Sequence, residues 1–231
     1  MNYVIWKEKD SREVEGLIIC ELPPISKPNL RVNETVIDGV DGSTVEELGY
    51  ESYDKPLLIG LRRNADIDEI INFFTGDGEI VFSNEPDKYY KAKIISSIDF
   101  ARLCRLKTAT VTFRVQPFKY DYEEDERVSQ AGRTDIIIDN IGNYFSKPIM
   151  TIQGTGEVRI SVNDEALFKY TFPEDENTVV IDSEKQDAYL GVDLKNRNMA
   201  GEFPTLRSGI NTVTWEGAVD SIKIEKYSRW L

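Results

Sequence analysis

Hydrophobic and polar residues alternate over much of this chain, most clearly in residues 110–116. There Val111, Phe113 and Val115 alternate with Thr112, Arg114 and Gln116, which predicts a strand with one buried face. Pro117 lacks a backbone N–H and has a fixed φ, so the strand is expected to stop there. Phe118, Tyr120 and Tyr122 follow, then an acidic run to residue 126. This succession predicts a seam between two β-rich domains, 1–127 and 128–231, with the boundary between Tyr120 and Gly132. Gln116, Pro117, Phe118, Lys119 and Tyr120 are the candidate contact residues. They serve either a partner protein or the packing of one domain on the other.

The same pattern predicts further strands in the first domain at 13–22, 44–51, 55–63, 79–83, 89–98 and 105–116. One helix is expected, at 66–74, because Ile67, Ile70, Ile71 and Phe74 make a single apolar stripe. Asn64 or Asp66 suits its N-cap, Asp68 and Glu69 suit the positive end of its dipole, and Gly76 suits its exit. Residues 38–42, Asp-Gly-Val-Asp-Gly, read as a turn; their spacing misses the calcium-loop template. The second domain carries short strand patterns at 134–138, 148–153, 157–162, 166–172, 178–182, 211–215 and 221–226. Turn signals separate them every 8–12 residues, the spacing of an antiparallel β-sandwich. The expected fold class is mainly β: a β-sandwich-like N-terminal domain with one α-helix, then a C-terminal antiparallel β-sandwich.

Charge and rare residues narrow the chemistry. The 231 residues carry a net charge of −13, divided as −8 over 1–128 and −5 over 129–231. No basic face for wrapping duplex DNA is expected; Arg62-Arg63 and the cluster at 102–107 read as surface charges. The chain has no histidine, which removes the Ser-His-Asp and Cys-His nucleophile systems and the usual zinc sites. Cys20 and Cys104 fall in apolar patterns and are expected to be buried free thiols. The 41 acidic residues offer many carboxylate pairs, but no spacing selects one for hydrolysis; the acidic runs at 121–126 and 174–176 read as solvated loops. No enzyme activity, metal or cofactor is expected. Residues 1–6 lack a signal-peptide pattern, so synthesis in a cytoplasm is expected, and no apolar run approaches a membrane span. Trp215 is either a core residue, as its alternation with Val213 favours, or a sugar-stacking platform.

Several short segments occur in an order that resembles one family. They are Gly39-Val40-Asp41-Gly42, the strand end at 113–120, and Asn140-x-Gly-Asn143 leading to Ser146-x-Pro148. Gly154-x-Gly156, Val179-Val180-Ile181-Asp182 and Phe203-Pro204-x-Leu206-x-x-Gly209-x-Asn211 come after them. Together they resemble the distal tail protein (Dit) of long-tailed phages and prophages, over nearly the whole chain. The resemblance implies a hexameric ring built by the N-terminal domains at the virion tail tip. That ring would join the tail tube and tape-measure protein above to a tail-associated fibre or lysin below. It also implies a galectin-like C-terminal sandwich that docks other baseplate parts, receptor-binding proteins among them, and a lumen through which DNA passes without specific binding. The alternative function is a carbohydrate-binding module for host recognition.

Overall fold

The computed structural model describes residues 1–95, 107–122, 126–129 and 133–231. Cys104, residues 102–106 of the basic cluster and acidic residues 123–125 lie outside the described residues, as do parts of the strands expected at 89–98 and 105–116. The chain divides into two compact units, Met1–Tyr122 with Leu231, and Glu123–Trp230. Both are built almost wholly from antiparallel strands.

The first unit contains β1 (Val4–Trp6), β2 (Lys9–Asp10), β3 (Leu17–Glu21), β4 (Leu30–Val36), β5 (Ser43–Tyr50), β6 (Tyr53–Leu61), α1 (Ile67–Phe73), β7 (Asp77–Phe82), β8 (Lys88–Ile94) and β9 (Thr108–Asp121). The sheet runs β2-β1-β7-β8-β9-β6-β3, while β4 and β5 pair only with each other. Inward residues of alternate positions, among them Leu57, Ile59, Ile80, Phe82, Val111 and Phe113, form one core with Trp6 and α1. The Trp6 ring meets Phe113 edge-on at 5.2 Å.

α1 is capped as expected: the Asp66 carboxylate accepts from the Asp68 and Glu69 N–H groups at 3.0 and 3.2 Å. Its buried face differs in one position. Phe73 is buried and Ile71 is 37 % exposed, because a two-turn helix lays the 67, 70, 73 and 74 row on the sheet. Cys20 is exposed rather than buried. The register with β6 slips between Ile19 and Glu21, so Cys20 sits at the bulge of an edge strand and leaves the inward alternation.

Pro117 does not end its strand; β9 continues through it to Asp121. Two features make this possible. The β6 partner stops at Val115, where it faces Tyr53. On the other side the β8 register slips between Tyr90, opposite Lys119, and Ala92, opposite Val115. Pro117 therefore lies at a bulge, opposite no residue of β6 or β8.

The second unit contains β10 (Glu126–Val128), β11 (Asp135–Asn140), β12 (Ile149–Val162), β13 (Glu165–Thr171), β14 (Thr178–Asp182), β15 (Asp187–Leu190), β16 (Asp193–Leu194), β17 (Met199–Gly201) and β18 (Gly209–Glu225). Its centre is a ribbon of the two longest strands, β12 and β18, paired from Ile149↔Glu225 to Val162↔Val213. One half of β12 pairs with β14 and the other half with β13. In the same way β18 pairs with β10 near one end and β11 near the other. The ribbon thus contributes to both layers of a galectin-like antiparallel sandwich. It bends where the register shifts after Gln153 and Thr155. There a Cβ on Gly154 would stand 2.4 Å from the Ala218 oxygen, and one on Gly217 would stand 2.4 Å from the Glu157 oxygen. Only glycine lets the two backbones approach so closely.

Candidate assembly surface

Among the described residues, the β4–β5 pair contributes no side chain to the core of unit 1. Every residue from Leu30 to Gly49 in the two strands is exposed. Direct pairing places Leu30 opposite Tyr50, Glu34 opposite Val45 and Val36 opposite Ser43. Because strand side chains alternate between faces, Leu30, Val32, Val36, Val45 and Tyr50 share one face with Glu34, Ser43 and Glu47, while Arg31, Asn33, Thr35, Thr44 and Glu46 share the other. Val32 is 47 %, Val45 54 % and Val36 71 % exposed. The tip is the expected Asp-Gly turn, with Gly39 and Gly42 at φ +83° and +88°, a left-handed conformation that glycine adopts without strain. The arm is acidic: Arg31 stands alone against Glu34, Asp38, Asp41, Glu46, Glu47 and Glu51.

Of the five candidate residues on β9, Phe118 reaches the root of this arm. Phe118 meets the Tyr50 ring edge-on at 5.9 Å. Tyr120 stacks on Tyr89 at 5.4 Å, with the Lys91 ammonium 4.7 Å from its ring. Lys119 forms an ion pair with Glu85, and both side chains are largely covered. Gln116 is exposed, and Pro117 is half-buried.

Under the same root lies a buried polar cluster that the sequence reading missed. Lys55 is 2 % exposed, and its Nζ lies 4.7 Å from the Tyr90 ring centre, 5.6 Å from Tyr53 and 5.7 Å from Phe82. The Tyr90 hydroxyl donates to Glu85 at 2.5 Å. Burial pulls the Lys55 ammonium down to about 8; Glu85 opposes that shift and Lys119 adds to it. Burial, helped by the Glu85 charge, pushes Tyr53 up to about 12. Tyr90 is raised by burial and by its bond to Glu85. The signal was present in the chain, since Lys55 shares its parity with the inward Leu57, Ile59 and Leu61.

In unit 2 the segments that carry the resemblance brace loops. Asn140 is fully buried and donates to the Tyr144, Leu206 and Arg207 carbonyls at 3.0–3.3 Å. Asn211 donates to Arg207 and Gly209 and accepts from Asn163. Ser146 and Leu206 exchange backbone bonds at 2.8 and 3.0 Å. Burial raises the affinity of Asp182 for its proton, yet bonds from the Lys185 and Glu184 N–H groups and the Lys185 ammonium leave it below the usual carboxylate range. Trp215 is 7 % exposed and belongs to the core, which takes its face away from any sugar.

Among the described residues no cluster of three or more His, Cys, Asp or Glu side chains is placed to hold a metal, and no helix is long and apolar enough to cross a membrane. No family model matches the chain, and no curated protein matches it. Solved structures do. The SPP1 Dit protein, described as a paradigm of the hub adsorption apparatus in phages infecting Gram-positive bacteria, superposes with TM-score 0.70 at 12 % identity over 100 % of both chains. A chain of the phage P2 baseplate in its activated, calcium-bound conformation superposes with TM-score 0.51 at 9 % identity over 98 % of both chains. At such identities the likeness speaks for the backbone, and it runs from end to end. The chain has the fold of the phage distal tail protein, the Dit baseplate hub.

Proposed function

We propose that this protein is a non-catalytic structural component of a phage tail tip, a hub subunit that works by associating with copies of itself. The observation that carries the reading is the bare β4–β5 arm. A lone two-stranded ribbon is marginal in water, and this one exposes Leu30, Val32, Val36 and Val45 on one face beside Glu34 and Glu47, a mix of apolar and charged side chains that suits a protein contact. Residues 1–127 would form a hexameric ring through a heterologous contact repeated around a closed rotation. Gln116, Pro117, Phe118, Lys119 and Tyr120 would flank that contact at the arm's root.

In this role the ring joins the tail tube to the tail-associated fibre or lysin, and residues 128–231 dock further baseplate parts such as receptor-binding proteins. DNA would pass an acidic lumen without adhering, since like charges repel. Burial of Trp215 weighs against the lectin alternative. Mass photometry of the full chain tests the reading. Hexamers are expected, and Val32→Asp with Val45→Asp should shift them to monomers. Hexamers that persist unchanged in the double variant would remove the arm from the joint.

A further inference from the structure

Residues 22–29 link β3 to β4 and belong to no strand. Pro23, Pro24 and Pro28 have no N–H to give, so the segment cannot be sewn to a sheet edge as its neighbours are. Three side chains hold its carbonyls instead: Asn84 Nδ2 donates to Pro23 O at 3.0 Å, Lys55 Nζ to Pro24 O at 3.0 Å, and the Tyr53 hydroxyl to Ser26 O at 3.3 Å. Pro23 and Pro28 are buried, whereas residues 24–27 lie exposed above them. At the far end the Glu51 N–H donates to Asn29 O at 2.9 Å. Both feet of the arm therefore meet at these bonds.

We propose that residues 22–29 form a releasable strap, and that proton binding at Lys55 favours its opening and so sets how firmly the arm's root is held. The inference concerns unit 1 alone and does not depend on the hub reading. The groups facing Lys55 are Tyr53 on β6, Glu85 in the turn after β7, Tyr90 on β8 and Lys119 on β9. From the strap it meets a carbonyl; Lys27 lies over Tyr50 instead, at 5.8 Å. One covered carboxylate already serves Tyr90 and Lys119, so the ring faces and the Pro24 carbonyl offset only part of the cost of burying the Lys55 ammonium.

Opening the strap admits water from the Pro24 side and restores the ordinary proton affinity of the amine. Closing then expels a proton between pH 8 and 10.5. Closure is weakest below pH 8 and strengthens with rising pH, by on the order of a hundredfold in the closing constant.

Two measurements on the full chain decide it. The first attaches a spin label to Ile25→Cys in a Cys20→Ser, Cys104→Ser background. Its mobile fraction should fall between pH 7.5 and 9.5, and Lys55→Met should abolish that dependence. The second follows the Lys55 ε-methylene by NMR. A midpoint near 8 should rise by about one unit in Asn84→Ala, Tyr53→Phe, since coupling between strap and proton is reciprocal. A label whose mobility ignores pH in the parent protein overturns the proposal. So does a midpoint left in place when the two other strap donors are removed.

Discussion

Two long antiparallel ribbons, the β4–β5 arm and the β12–β18 pair, use similar residues to opposite ends. Both alternate β-branched side chains with polar ones, and both carry register slips. In unit 2 every stretch of the ribbon has further strands beside it, and Met150, Ile152, Val158 and Ile160 are sealed in the core. In unit 1 the arm has no third strand among the described residues, and its valines stand in water. The difference lies in neighbours rather than in local chemistry. A strand becomes core or contact surface according to what the rest of the chain brings against it.

The comparison breaks most visibly with the same change made on each side. Ile152→Asp buries an unpaired charge in the ribbon and should cost more than about 4 kcal/mol, unfolding unit 2 in urea titration. Asn140→Ala removes its bonds to three carbonyls and the acceptor of the Gly142 N–H, while Leu206 and Arg207 keep bonds from Ser146 and Asn211; it should cost roughly 1–3 kcal/mol by the same assay. A pH series sharpens the contrast for unit 1. The unfolded chain keeps the Lys55 proton to 10.5 and the folded chain only to about 8, so the unfolded state binds more protons in between. Stability should therefore rise from pH 8 toward 10, by on the order of 1 kcal/mol per pH unit. Above 10 the slope turns downward, because Tyr53 ionises in the unfolded chain first and in the folded one at about 12. Lys55→Met should flatten the rising limb in thermal melts. The smallest effect belongs to the arm. Val45→Asp should change unfolding stability by less than about 0.5 kcal/mol while weakening self-association.

What could be read along the chain was local. The α1 stripe and its Asp66 cap, the Asp-Gly turn and the alternation of Val179 with Ile181 all depend on residues within a few positions of one another. Errors arose where a distant partner decides. Pro117 reads as a stop until the slip in β8 is known, and Cys20 reads as buried until the β6 register is known. β4 went unassigned because Arg31, Asn33 and Glu34 dilute its alternation of Leu30, Val32 and Val36. Of the arm, β5 was legible in the sequence and β4 was not; of the five residues proposed to flank it, Phe118 reaches its root at Tyr50. Lys55 went unnoticed, since a lysine at a strand start is ordinarily solvated.

The position of β18 has a bearing on biosynthesis. It is the hub of unit 2's hydrogen bonding, partner to β10, β11 and β12, yet residues 209–225 leave the ribosome after all three. Until then β12 emerges with a long open edge rich in isoleucine, the kind of surface that stray chains and chaperones seize. Folding of this half thus waits for β18, and a stalled or nicked chain lacking β18 would be prone to aggregate.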